Sequence, residues 1–564
     1  MKFNKFEYER PSIKDFYNDF DLKLKRFSGA KSAEEQIDAF NAISDLRCEF
    51  DSMHNICVIR HTIDTNDKYY EEENSFFDQQ LPIFNDLTTR FYAALVDSEF
   101  RNQLEEKFGK QLFVIAELSL KTFKPELLEN LREENQLKSE YVKRTAAAKI
   151  MFEGKEFNLS SIHPYEISKV RLTRKNAAEA KWGFYQQNAA PIEGIFENMV
   201  KVRHSMARKL GYRNFIEMGY ARMLRSDYTP GMVAKFREQV REHIVPIATK
   251  LRKRQAERLD LPALKYYDED LLFKNGNPEP QGSTEWILNN ARTMYAELSE
   301  ETNQFFEFMI DNNLLDLVAK NGKAPGGYCS FIGKYKAPFI FSNFNGTSGD
   351  IDVLTHEAGH AFQVYCSRDI GINEYNWPTF EACEIHAMSM EYFTWPWMHL
   401  FFGDEAEKYQ FGHLNSSLFF LPYGVAVDEF QHFVYENPHA SNEERNAAWS
   451  EIEKKYLPHR DYGDNEFLAK GGFWQRQRHI FEMPFYYIDY TLALICALQF
   501  WKKDMENHES AWNDYLRLCK VGGSESFLDL VEKANLISPF EDGCISSVVG
   551  HITAWLDKVD DSNF

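Results

Sequence analysis

Residues 356–360 read His-Glu-Ala-Gly-His within the run DIDVLTHEAGHAFQVY, an HExxH pattern. The run from Ser348 onward has helical spacing, with Thr347 or Ser348 as the expected N-cap and Asp350 in the first turn. A helix turns by about 100° per residue, so His356 and His360 stand one turn apart on one face. Two imidazoles so placed can share one zinc ion, and one zinc per chain is the expected cofactor. Glu357 points off to the side, within reach of a metal-bound water that it does not need to displace. The metal lowers the pKa of that water and the carboxylate takes its proton, which is the chemistry of metal-assisted hydrolysis.

A catalytic zinc needs a third protein ligand and an open fourth position. The next periodic segment, PTFEACEIHAMSMEYF, reads as a second helix on which Glu381, Glu384, Met388 and Glu391 recur at three-to-four spacing. Acidic groups beside a methionine on one face do not make a core stripe. Glu384 comes 24 residues after His360, enough chain for a helix, a turn and a returning helix, and is the preferred ligand, with Glu381 the rival. His386 points to the far side, and Glu391 is weighed between orienting a ligand and facing solvent.

A second chemical cluster lies in RQRHIFEMPFYYIDY, where His479 precedes Tyr486, Tyr487 and Tyr490. Amide hydrolysis builds an oxyanion, and a neutral phenol or imidazole nearby can donate a hydrogen bond to it. On a helix Tyr486 and Tyr490 share a face and Tyr487 is offset. The alternative is an aromatic core helix. Gly471-Gly472 just upstream is either a point of movement or a simple turn.

HEAGH followed by EIHAMSMEYF resembles the thimet oligopeptidase and oligoendopeptidase F family of zinc metallopeptidases, most closely its Pz-peptidase-type branch. The segments APFIFSNFNGT, LPYGVAVDEFQHFVYENP and HIFEMPFYYIDY carry the resemblance further along the chain. It implies that the first Glu of the second helix is the third ligand, with another Glu seven residues on, a spacing that Glu384 and Glu391 match. It implies that His479, Tyr486 and Tyr490 grip the peptide carbonyl and the oxyanion, with Tyr490 the expected donor. It implies an edge strand that pairs with the substrate backbone, assigned here to Phe339, Ile340 and Phe341. The implied fold is two helical lobes around a deep substrate channel, with a small β-sheet beside the HExxH helix. The implied activity is endopeptidase cleavage of short oligopeptides, with collagen-like Pro/Gly peptides among the acceptable sequences.

The elements that must position these groups are mainly α-helical. NSFFDQQLPIFNDLTTRFYAALVDSEFRNQLEEKF and the segments after it place apolar residues at helical spacing. EGKEFNLSSIHPYE reads as a small hairpin or loop, and two strands are expected at about residues 328–332 and 339–342. A soft boundary near residue 165 separates an N-terminal helical lobe, 1–165, from a catalytic region, 166–564. The 44% hydrophobic and 27% charged composition is that of a globular protein, and 47 Phe and 28 Tyr suit packed helices or an aromatic-lined cavity.

The net charge of −21 argues against nucleic acid as a partner, and the one basic run, KLRKR at residues 250–254, reads as a solvated helix face. No apolar run is long enough to span a bilayer, the start lacks a signal-type apolar region, and eight scattered Cys contain no CxxC, so the expected location is the cytoplasm, with reduced thiols. An exopeptidase, whether carboxydipeptidase or aminopeptidase, would use the same zinc set. A di-iron carboxylate protein would pair Glu357-x-x-His360 with Glu429-x-x-His432, but leaves His356 unexplained. A helical scaffold with a vestigial motif would have no use for so complete a set of residue types.

Overall fold

The computed structural model describes residues 1–564, the side chain of Asn563 aside. The chain divides into two compact units, each built from separated stretches: Met1–Lys121, Glu279–Ala406 and Cys496–Leu536 in the first, and Thr122–Pro278, Glu407–Ile495 and Ile537–Phe564 in the second. The soft boundary near residue 165 falls inside the second unit. Both units are mainly helical. The strands are β1 (Ile150–Phe152), β2 (Lys155–Phe157), β3 (Leu315–Val318), β4 (Tyr328–Ile332) and β5 (Ala337–Phe344). Among the described residues no helix is long and apolar enough to cross a membrane.

In the first unit, helices Ile13–Ser28, Ala33–Ile63 and Lys68–Val96 pack through phenylalanines. Phe50 stacks on Phe84 with ring centroids 4.6 Å apart, and Phe40 on Phe108 at 4.1 Å. Much of the aromatic content therefore fills helix interfaces, each such ring burying about 150–250 Å². The helix starts follow ordinary capping chemistry: Ser32 Oγ accepts from the Glu35 N–H at 3.3 Å, and Glu35 Oε2 accepts from the Lys31 N–H at 2.7 Å.

The sheet of this unit has the order β3-β5-β4, with β5 parallel to β3 and antiparallel to β4. Both expected strands form, but the expected edge is corrected. Phe339, Ile340 and Phe341 lie on the central strand, at most 1% exposed, with Phe341 opposite Asp316 on one side and Tyr328 on the other. A strand paired on both sides offers no free backbone groups to a substrate. The reason is a short parallel partner, Leu315–Val318, contributed by chain upstream of the hairpin.

After β5 the chain turns into the motif helix, Gly349–Ser367. Its N-cap is Ser348, without a side-chain cap bond; instead the Asp350 carboxylate accepts the Asn345 and Gly346 N–H groups at 2.9 and 2.8 Å, closing the strand-to-helix turn. The return helix, Phe380–Phe393, packs directly on the motif helix. Gly359 makes that approach possible. A Cβ there would lie 2.6 Å from the His386 carbonyl oxygen and 2.7 Å from Ala387 Cα, both backbone atoms that cannot yield. Gly359→Ala is therefore expected to cost about 1–3 kcal/mol as overpacking. The check is the denaturation midpoint; an unchanged midpoint would mean that the two helices separate without penalty.

In the second unit the expected hairpin is β1–β2, joined by Glu153-Gly154, both with positive φ (48° and 77°), a two-residue turn matched to strand twist. Helices Leu128–Ala146 and Ala189–Lys209 pack together around Arg203, which is fully buried and bound to Glu134 at 2.7 Å.

Candidate functional site

On the motif helix the two histidine rings have centroids 5.0 Å apart. Glu384, brought back by the return helix, places Oε2 at 3.3 Å from His356 Nε2 and 3.8 Å from His360 Nε2. Donor atoms of His356, His360 and Glu384 all lie within 4.8 Å of one another, forming the one group of three or more ligating side chains found among the described residues. Glu381, the rival ligand, is fully buried and is not part of that group. His386 is buried on the far side with Nδ1 2.7 Å from the Ala382 carbonyl, as its position two residues past Glu384 predicts.

Glu391 Oε1 sits 2.7 Å from His356 Nδ1. A carboxylate only accepts, so Nδ1 carries a proton, and in the neutral ring that leaves the lone pair on Nε2, facing Glu384. Glu391 therefore braces the His356 ring rather than facing solvent. Burial pushes His360 down to about 4, keeping the ring neutral with a lone pair to offer. Burial also pulls His356 down, but hydrogen bonds to Glu384 and Glu391 outweigh it and hold the ring well above its ordinary value. Two imidazole nitrogens and one carboxylate oxygen are the donor set of a catalytic divalent metal with an open position, so the residues present fit one.

Glu357 is 8% exposed and lies outside the triad. Burial pushes its carboxyl up to about 7, His356 opposing and Glu384 and Glu391 adding to the rise. That value suits a proton acceptor working near neutrality. Gly327, just before β4, comes close on the other side; a Cβ there would lie 3.6 Å from Glu357 Oε1 and 3.3 Å from Val353 Cγ1. The strand running past the glutamate is thus the edge strand β4. Its Phe331 carbonyl accepts from Asn55 Nδ2 at 2.9 Å.

The second unit holds the other predicted cluster. His479 lies 6.0 Å from Tyr486, 4.9 Å from Tyr487 and 6.0 Å from Tyr490 by ring centroids, and Tyr486 and Tyr490 are 4.9 Å apart. All four rings are half-buried. Backbone carbonyls around them are clamped by buried arginines that sequence reasoning did not single out. Arg203 donates to the carbonyls of Ile480, at 3.0 Å, and Phe481. Arg225 donates to the Phe485 carbonyl and the Asp489 carboxylate, each at 2.5 Å. Phe485 has φ of 69°, a left-handed conformation held by the Gln431 side chain accepting its N–H at 2.7 Å. Gly471 makes a tight turn: it has φ of 92°, and a Cβ on it would lie 2.0 Å from the Asn446 carbonyl oxygen.

Glu429 and His432 belong to no second metal group among the described residues. Glu429 binds Lys455 at 2.9 Å and Tyr456, while His432 faces Tyr220 at 3.2 Å and Asp428 at 3.5 Å.

A fold of this kind, with an HExxH helix laid against a carboxylate-bearing return helix, is a metallopeptidase fold, and comparison with known proteins assigns it. Residues 3–123 match the Peptidase M3 N-terminal domain and residues 165–549 match Peptidase family M3. The chain belongs to peptidase family M3. It is similar to an oligoendopeptidase F homolog of Borreliella burgdorferi, 24% identical over 402 residues, and to the chromosomal oligoendopeptidase F of Lactococcus lactis subsp. cremoris, 24% identical over 381 residues. These alignments cover 66% and 65% of this chain and span 64% and 60% of the relatives' own lengths. Among solved structures it is similar to Pz peptidase A with an inhibitor, with a TM-score of 0.95, 59% identity and full coverage of both chains. The resemblance to the oligoendopeptidase F group and its Pz-peptidase-type branch holds, as does the mainly helical fold with a small sheet beside the HExxH helix.

Proposed function

We propose that this chain is a zinc-dependent endopeptidase that hydrolyses internal bonds of short oligopeptides in a reducing cytoplasm. The observation that carries the reading is the convergence of His356, His360 and Glu384 within 4.8 Å, with Glu391 fixing the His356 tautomer. Family membership and the similarity to oligoendopeptidase F proteins support oligopeptides as substrates.

Zinc, held by His356 Nε2, His360 Nε2 and the Glu384 carboxylate, would supply a Lewis acid for the scissile carbonyl and acidify a bound water. The chain's own groups do the rest. Glu357 takes the proton of the attacking water on its carboxylate and returns it to the leaving amine nitrogen. Tyr490, with His479 or Tyr486, donates to the developing oxyanion. The substrate backbone pairs along the β4 edge beside Gly327 and Glu357, in place of the central Phe339–Phe341 segment.

Two measurements test this. Dialysis against a chelator to verified metal-free protein is expected to abolish cleavage, and one equivalent of zinc to restore it; undiminished cleavage by the apoprotein would refute the zinc reading. A fluorogenic peptide blocked at both ends should be cut internally. Failure on every doubly blocked peptide, with cleavage of free-ended ones, would make the enzyme an exopeptidase. For Tyr490→Phe the expected result is a fall in kcat of about 10²-fold with little change in KM. A change confined to KM would assign the phenol to ground-state binding.

A further inference from the structure

The LPYG segment of the long helix Ala406–Glu436 has no role in the mechanism so far, yet it reaches the His479 cluster. Gly424 lets the helix come close: a Cβ there would lie 2.3 Å from Thr491 Cγ2. That approach brings Tyr423 beside Tyr487, ring centroids 5.8 Å apart. Tyr423 Oη donates to Gln477 Oε1 at 2.7 Å, and Gln477 Nε2 lies 2.8 Å from His479 Nδ1. Gln477 is 7% exposed.

These contacts agree on one amide orientation. The oxygen accepts from Tyr423, and an amide hydrogen faces His479 Nδ1. An amide nitrogen has no lone pair to accept with, so Nδ1 must be the acceptor and the ring proton must sit on Nε2. We propose that Gln477, oriented by Tyr423, is a positioning residue that holds His479 as the neutral tautomer protonated on Nε2, so that this N–H is the hydrogen-bond donor offered to a peptide carbonyl or oxyanion. The inference rests on the reading of His479 as a carbonyl or oxyanion donor. The same logic governs metal-bound histidines, where the partner of one ring nitrogen decides what the other can do. Here it fixes a donor instead of a ligand.

The test is the zinc-loaded full chain, ¹⁵N-labelled at histidine, with His479 assigned by its loss in His479→Ala. The wild type is expected to show His479 as the Nε2–H tautomer. Gln477→Glu, whose carboxylate can only accept, should move the proton to Nδ1 or leave the ring doubly protonated, and lower kcat about 10- to 100-fold, approaching the loss of an oxyanion donor itself, with KM nearly constant. Tyr423→Phe, which keeps the ring packing, should give a mixed tautomer signal and a smaller kcat loss; it decides the matter if Gln477→Glu does not fold. An Nδ1–H tautomer in the wild type, or a His479 signal unchanged in both variants, would overturn the proposal. If the tautomer shifts as expected while His479→Ala keeps full kcat, the positioning holds and the catalytic reading of His479 is what fails.

Discussion

Glu357→Gln should leave a folded, zinc-loaded protein that turns over at least about 10³-fold more slowly than the parent, within the range by which a positioned general base accelerates a reaction. The substitution is nearly isosteric, so the close approach of Gly327 to this side chain is kept. The glutamate lies outside the donor group of His356, His360 and Glu384, so metal content should stay at one per chain. What is lost is the lone basic site. An amide oxygen cannot take a proton at neutral pH, whereas the buried carboxyl, pushed up to about 7, can both take one and give it back. The measurement is kcat alongside metal analysis and the thermal midpoint. Near-normal turnover by the zinc-loaded variant would remove Glu357 as the base. A loss of zinc parallel to the loss of rate would instead make it part of the metal's support.

How much of this was legible beforehand depends on whether a feature is local. His356, Glu357 and His360 are fixed by helical spacing within one turn, and the structure keeps them on one helix. Glu384 and Glu391 are seven residues apart, about two turns, and so were readable as one face of a second helix. The two strands of the hairpin were readable from their composition, and β4 spans Tyr328–Ile332 as expected. The position of β5 in the sheet was not, because period-two patterning says which face a residue takes and nothing about how many neighbours a strand has. The unbroken burial along Ala337–Ser342 marks a strand covered on both faces, which fits an edge strand as well as a central one.

Long-range support was the least legible. Tyr423 and Gln477 are 54 residues apart, and Arg203 lies 277 residues before the Ile480 carbonyl that it holds. No spacing rule links such pairs. A buried Arg or Gln shows its purpose only once the carbonyls and ring nitrogens around it are known.

The choice between Glu384 and Glu381 as third ligand gives the second large effect. Counted along the return helix, Glu384 and Glu391 differ by about 20° in direction, while Glu381 is about 60° away from Glu384. Glu384 points where His356 and His360 point, with Oε2 at 3.3 and 3.8 Å from their Nε2 atoms. Glu384→Gln removes the one negative charge in the donor set, so a dication faces two neutral rings and a weak amide oxygen. Zinc affinity should then fall by more than the about 10–100-fold that follows loss of a group supporting a ligand. After dialysis the variant should retain little zinc and almost no activity, and excess zinc should restore only part of the rate. Glu381→Gln should keep one zinc per chain, because its side chain is outside the donor group. Metal content after dialysis, read beside the rate, separates the two: a metal-free Glu381→Gln together with a zinc-loaded, active Glu384→Gln would transfer the ligand role one turn toward the start of the helix.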